Sequence, residues 1–286
     1  MHLQNIQTIG VVGAGQMGVG IALVSAKAGW DVLVNDSNTT ALDTAMARIQ
    51  KGFDKQVQEE LTSPQEADQA LKRIRTTQSF GDITDVQLVI EAIPEKPDLK
   101  SRLFWELGRV CKPDVILASN TSSISITKLG AAAGRDELVA GMHFMNPVPV
   151  MRLVEITRGL RTTHETVTLL SDLAKHMGKI PVESNDSPGF IVNRILMPMI
   201  NEAIFAFAEG VATAEAIDTA MVCGTNHPMG PLALADRIGL DTVLSICEVL
   251  HQDLGDPKFR PCPLLRKYVE AEWLGRKSGR GFYQHQ

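Results

Sequence analysis

Residues 6–12 form a short apolar run that stops abruptly at Gly13, and the next six residues are Gly13-Ala14-Gly15-Gln16-Met17-Gly18. A short apolar run halted by glycine reads as a buried strand. Residues 16–28, closed by Gly29, read as a helix. Strand, glycine turn and helix in that order point to an α/β sheet whose strand ends open towards a ligand. Each glycine has a separate task. Gly13 permits the tight turn, Gly15 presents no Cβ to an approaching pyrophosphate, and Gly18 lets helix and strand pack closely. The free N–H groups and positive end of the helix then face the phosphates.

A second strand over 31–35 ends at Asp36, 18 residues after Gly18. A carboxylate there accepts hydrogen bonds from ribose hydroxyls and repels a 2′-phosphate. Ser37-Asn38-Thr39 follows it, with no arginine, which favours NAD over NADP. A bare glycine turn, or a site for FAD or another nucleotide, is the competing reading.

The alternation continues. Helical patterns cover 38–60, 65–74, 98–110 and 125–132, and strand-like runs cover 86–93, 115–118, 138–143 and 153–156. Lys51 and Lys55 lie one turn apart on the first of these helices. Thr162-x-x-Glu165 resembles a capping box, and Val167, Leu170, Leu173, Ala174 and Met177 form one apolar stripe that stops at Gly178. Such alternation implies a parallel sheet covered on both faces.

The texture changes at Ser184-Asn-Asp-Ser-Pro188. Beyond it only helical patterns remain, over 189–209, 214–221, 232–253 and 263–272. The expected fold is α/β: a Rossmann-type doubly wound sheet with a helical excursion over 1–186, then an all-helical domain over 187–286.

Composition narrows the function. Asp plus Glu exceed Lys plus Arg by 33 to 28, a net charge of −5, which disfavours a general nucleic-acid binder. No apolar stretch reaches the ~18 residues of a membrane span. The four cysteines show no CxxC or zinc spacing, so inert thiols and no metal are expected. The N-terminus carries no basic region of the kind that opens a secretory signal, and a cytoplasmic location is expected.

Two segments at strand ends carry chemistry: Ser119-Asn120-Thr121-Ser122-Ser123, and His143-Phe-Met-Asn146-Pro147 leading to Glu155. Carboxyl strand ends face the ligand crevice of a doubly wound sheet. A histidine there is a natural base for an alcohol, a carboxylate on its second nitrogen fixes the tautomer, and a serine reaches a substrate oxygen. Singly, each has an ordinary reading as a core histidine, a polar turn or a solvated glutamate. The helix over 189–209 is apolar almost all round and should be buried, yet it carries a stripe of Asn193, Arg194, Asn201 and Glu202. That stripe faces either a substrate cleft or a polar network with other helices. Pro198 should kink this helix. His227, in Asn-His-Pro-Met-Gly-Pro, is a second candidate base without a carboxylate partner in sequence.

Together these segments resemble the 3-hydroxyacyl-CoA dehydrogenases of the short, single-function bacterial type, across nearly the whole chain. The resemblance rests on GAGQMG, SNTSS, HFMNPVPVMRLVEI, SPGFIVNRILMPMINEA, NHPMGPLALADRIGLD and GRKSGRGFY, and on the separations Ser122–His143, His143–Glu155 and Glu155–Asn193 of 21, 12 and 38 residues. It implies reversible NAD-linked oxidation of an (S)-3-hydroxyacyl-CoA, such as 3-hydroxybutyryl-CoA, to the 3-ketoacyl-CoA. His143 is then the base, Glu155 its partner, and Ser122 and Asn193 contact the substrate's reacting oxygen or thioester carbonyl. NAD contacts fall on Glu95, Lys100, Asn146, Ser122 and Lys277. The acyl-CoA adenine end is expected on the helical excursion. There Gly52 stands near the family's serine and Gln58-Glu59 near its lysine, leaving Lys51 and Lys55 as candidates. The resemblance also implies a homodimer. The rival readings are a related dehydrogenase of a free hydroxy acid or sugar acid, and an NAD-binding protein without catalysis.

Overall fold

The computed structural model describes residues 3–285 and divides into two compact units between Ser187 and Pro188. The first holds one eight-stranded sheet: β1 (Thr8–Val12), β2 (Asp31–Asn35), β3 (Ile74–Thr77), β4 (Leu88–Glu91), β5 (Ile116–Ser119), β6 (Val139–Phe144), β7 (Leu153–Arg158) and β8 (Ile180–Asn185). Their order is β3-β2-β1-β4-β5-β6-β7-β8. Every pairing is parallel except β6 with β7. Six helices accompany it: α1 (Gln16–Lys27), α2 (Thr39–Gln58), α3 (Pro64–Lys72), α4 (Pro97–Val110), α5 (Ile126–Ala133) and α6 (His164–His176). Central strands β4, β5 and β6 are buried at every residue, which is why they read as continuous apolar runs.

The two edge strands were not legible as strands. β3 is Ile-Arg-Thr-Thr with one buried residue, and the periodicity of α3 carries the helical pattern over Ile74. β8 is Ile-Pro-Val-Glu-Ser-Asn and has no fully buried residue, so it lacks an apolar signature. Helix α6 is capped by Thr163, whose hydroxyl accepts from the Thr166 N–H, rather than by Thr162. The Thr162 hydroxyl instead donates to the Val139 carbonyl at 2.6 Å. A complete capping box forms instead three helices earlier, between Ser63 and Glu66 at the start of α3.

The second unit contains α7 (Val192–Ala208), α8 (Ala214–Thr225), α9 (Pro231–Ile238), α10 (Leu240–Leu254) and α11 (Pro263–Glu270). The single helix expected over 232–253 is two, because Gly239 adopts φ +104° between α9 and α10. Helix α7 runs through Pro198 and is not buried all round, since Ile195 is 67 % exposed. Its Asn201 serves other helices: the amide donates to the Arg260 carbonyl and accepts from the Cys262 N–H.

Cys111, Cys247 and Cys262 are buried and only Cys223 is exposed. Burial pushes the Cys111 thiol up to about 11 and the Cys247 thiol to about 12, so both stay protonated. Among the described residues no helix is long and apolar enough to cross a membrane.

Candidate active site

The glycine turn forms as its sequence requires. Gly15 is the N-cap of α1. A Cβ on Gly18 would sit 1.8 Å from the Gly13 carbonyl oxygen, so only glycine lets α1 close onto β1. A Cβ on Gly15 would meet nothing within 4 Å, because that side opens onto a cleft. Asp36 braces the turn: its carboxylate accepts from the Ala14 N–H at 2.9 Å and the Asn38 N–H at 3.0 Å.

The cleft, about 1120 Å³, is lined by Gly13, Gly15, Asp36, Glu95, Lys100 and Ser122 among others. It combines an uncapped helix N-terminus, a carboxylate at the end of β2 and apolar walls from Ile93, Leu99 and Leu103. These features fit a dinucleotide: donors for the pyrophosphate, an acceptor for ribose, and a dry slot for adenine. Arg48, on the face of α2 that also carries Thr44, lines the same cleft. It escaped notice in the sequence because it lies three turns into the helix rather than beside Asp36.

Past the carboxyl ends of β5 and β6, three side chains form a chain of hydrogen bonds. The antiparallel β6–β7 pairing puts His143 directly opposite Glu155. Glu155 Oε2 is 2.7 Å from His143 Nδ1, and Ser122 Oγ is 3.1 Å from His143 Nε2. Glu155 is fully buried and His143 nearly so. A carboxylate only accepts, so Nδ1 carries a proton, and in the neutral ring Nε2 then presents its lone pair towards Ser122. Asn120 supports the histidine strand by accepting from the Phe144 N–H at 2.8 Å.

Glu95 organises the serine loop. Its Oε1 accepts from the Thr121 hydroxyl and from the Ser122 and Ser123 N–H groups. Lys100 lies 3.3 Å from Glu95 Oε2 and 2.5 Å from Glu91 Oε1. Glu91 and Lys100 are both almost wholly buried. Burial pushes the Glu91 carboxyl up, against the opposing pull of Lys100 and of the Ser119 hydroxyl at 2.6 Å. Glu91 was missed as a site residue, although a carboxylate closing an apolar strand, nine residues before a lysine, is a usable signal. Asp186 was also missed. It caps α5, just after the serine loop, by accepting from the Ile126 and Thr127 N–H groups and the Ser125 hydroxyl.

The other candidates fall in separate places. Asn146 accepts from the Gln16 side-chain amide at 3.0 Å, at the first turn of α1. Lys51 and Lys55 are exposed on α2, outside the residues lining the cleft, and Lys55 pairs with Glu59 at 3.6 Å. In the helical unit, Asn193 is buried in the first turn of α7, and Lys277 pairs with Asp241. His227, on the turn before α9, is half-buried. The helical unit also holds two buried carboxylates that tie down its tail. Asp236 accepts from the Phe282 and Tyr283 N–H groups and meets His285 Nε2 at 2.8 Å. Asp218 caps α9 and accepts from the Tyr283 hydroxyl.

Two family models match the chain. One, described as the NAD-binding domain of 3-hydroxyacyl-CoA dehydrogenase, covers residues 8–187, and the other, the C-terminal domain of the same enzymes, covers 189–285. A probable 3-hydroxybutyryl-CoA dehydrogenase of Bacillus subtilis is 53 % identical over 281 residues, 98 % of each chain. A 3-hydroxyadipyl-CoA dehydrogenase of Escherichia coli is 41 % identical over 98 % of this chain and 59 % of its own length. The crystal structure of an (S)-3-hydroxybutyryl-CoA dehydrogenase from Ralstonia eutropha superposes with a TM-score of 0.96 at 47 % identity, covering 99 % of this chain and 100 % of that one.

Proposed function

The chain belongs to the 3-hydroxyacyl-CoA dehydrogenase family and is an NAD-dependent enzyme, and from that premise we propose that its substrate is a short-chain (S)-3-hydroxyacyl-CoA, 3-hydroxybutyryl-CoA above all, with His143 as the general base. The observation that carries this reading is the Ser122–His143–Glu155 chain of hydrogen bonds. NAD supplies the hydride acceptor when bound. Gly13, Gly15 and Gly18 would hold it through the α1 N-terminus, and Asp36 through a ribose. Glu95, Lys100, Asn146 and Lys277 complete that set.

In its neutral form His143 removes the proton of the 3-hydroxyl through Nε2, and Glu155 then faces an imidazolium across 2.7 Å. That pairing stabilises the charge as it develops and holds the ring in one tautomer. Ser122 turns its hydroxyl from Nε2 to the substrate oxygen. Asn193 contributes a second polar contact to the substrate. In the reverse direction the imidazolium returns its proton to the 3-keto oxygen.

Residues 1–186 are read as the cofactor domain and 187–286 as the substrate and dimerisation domain of a cytoplasmic homodimer. Lys51 and Lys55 are the candidates for the CoA phosphates. The substrate test compares acetoacetyl-CoA, longer 3-ketoacyl-CoA esters, a dicarboxyl 3-ketoacyl-CoA and free acetoacetate as oxidants of NADH. The account expects the highest kcat/KM with acetoacetyl-CoA and negligible turnover of free acetoacetate. A preference for the free acid would overturn it. Preference for the dicarboxyl ester would instead match the activity named for the Escherichia coli relative.

A further inference from the structure

Lys179 is a buried cation that the proposed chemistry does not use. It lies between the end of α6 and the start of β8, and the residue is only 8 % exposed. Burial holds its ammonium below the usual lysine range, with no neighbouring carboxylate opposing that shift among the described residues. A buried charge without a counter-ion is expensive, and is retained only where its donors are satisfied. Here they are satisfied by main chain: Nζ donates to the Val148 carbonyl at 2.5 Å and to the Met151 carbonyl at 2.9 Å.

Those two carbonyls belong to the connection between His143 on β6 and Glu155 on β7. The connection has its own turn, in which the Val150 and Met151 N–H groups both donate to the Pro147 carbonyl, and its Arg152 carbonyl accepts from the Ile180 N–H at 2.8 Å. Val150 and Met151 are exposed. The opposite side of the same segment lies against α1. Val148 is buried so tightly on Gly20 that a Cβ there would come within 2.7 Å of it, and Asn146 accepts from Gln16 two residues earlier. A single connection therefore touches the cofactor-binding helix on one side and Lys179 on the other.

We propose that Lys179 is a positioning residue: by clamping the Val148 and Met151 carbonyls it fixes the β6–β7 connection against α1, and so presents Asn146 to the cofactor and keeps His143 in register with Glu155. An ammonium suits this task because one small group can donate to two converging carbonyls at once. A neutral apolar residue of similar length would fill the space, remove the donor from both carbonyls and leave that of Val148 buried without it.

The inference rests on the proposed reading of Asn146 as a cofactor contact. If that reading alone is wrong, an Asn146→Ala variant binds NADH with wild-type affinity while the Lys179 variants still lose kcat.

The test is the NADH dissociation constant of Lys179→Met and Lys179→Arg, followed by fluorescence well below their melting temperatures, together with kcat for acetoacetyl-CoA. With the connection in its competent position only about a tenth of the time, the Met variant should bind NADH about 10-fold more weakly. It should also lose kcat, and Arg, which keeps donors at that point, should recover part of both. Wild-type affinity and kcat in a folded but less stable Met variant would overturn the proposal, leaving Lys179 a packing residue. Should Lys179→Met not fold, hydrogen exchange on the wild-type protein decides. Saturating NADH should slow exchange at the Val150 and Met151 amides, and unchanged exchange there would equally overturn it.

Discussion

His143 and Glu155 are cross-strand neighbours on the one antiparallel step of the sheet, with Nδ1 and Oε2 2.7 Å apart. A parallel neighbour would be joined by a long crossover, so residues only 12 apart in sequence would not meet. The reversal of β7 therefore converts a short sequence separation into a buried acid–base pair beside the serine loop that follows β5.

The glycine turn separates stability from binding. Gly15→Ala adds a methyl to open space, so its melting temperature should stay near wild type while NADH affinity falls by at least about 10-fold, the loss of one good pyrophosphate contact. Gly18→Ala places its methyl 1.8 Å from the Gly13 carbonyl oxygen and should lower the melting temperature itself. Thermal unfolding and NADH titration of the two variants check this contrast, which would fail if both lost stability equally.

Asp36 both braces the turn and lines the cleft. Asp36→Asn keeps an acceptor for the Ala14 N–H and removes the charge that opposes a 2′-phosphate. The ratio of kcat/KM with NADH to that with NADPH should drop by about 10-fold or more. Arg48, lining the same cleft, would then be available to the added phosphate. An unchanged ratio would mean that Asp36 does not set the preference.

Lys100 and Glu91 are a buried pair. Lys100→Met strands the Glu91 carboxylate and should cost about 3–5 kcal/mol, whereas the double variant Lys100→Met with Glu91→Leu should recover most of that loss. Denaturant unfolding of the single and double variants measures the coupling. Even where stability returns, NADH affinity should not, since Glu95 has lost the lysine that holds it.

Much of this was readable in the chain. The cradle was legible because its chemistry is local: Gly13, Gly15, Gly18 and Asp36 lie within one strand–helix–strand unit. Ser122 and His143 were legible at strand ends and Glu155 within the next strand, but their contacts were not, since the order and direction of β5, β6 and β7 decide which of them meet. The edge strands escaped because β3 and β8 bury little, and burial is what writes an apolar pattern into a strand. The break at Gly239 was hidden inside a continuous helical periodicity. Asp186, Asp218 and Asp236 cap helices or clasp the tail across distances of 14 to 65 residues, and no local pattern marks such partners.

The most direct test of the central claim is His143→Gln, which retains a polar side chain of similar reach but cannot take a proton. NADH titration should give a dissociation constant close to wild type, because the cradle formed by α1 and Asp36 is untouched. Turnover of acetoacetyl-CoA should fall by at least about 10²-fold, the usual contribution of a positioned acid–base group. Turnover within a few-fold of wild type, with NADH still bound, would contradict the assignment of His143 as the base.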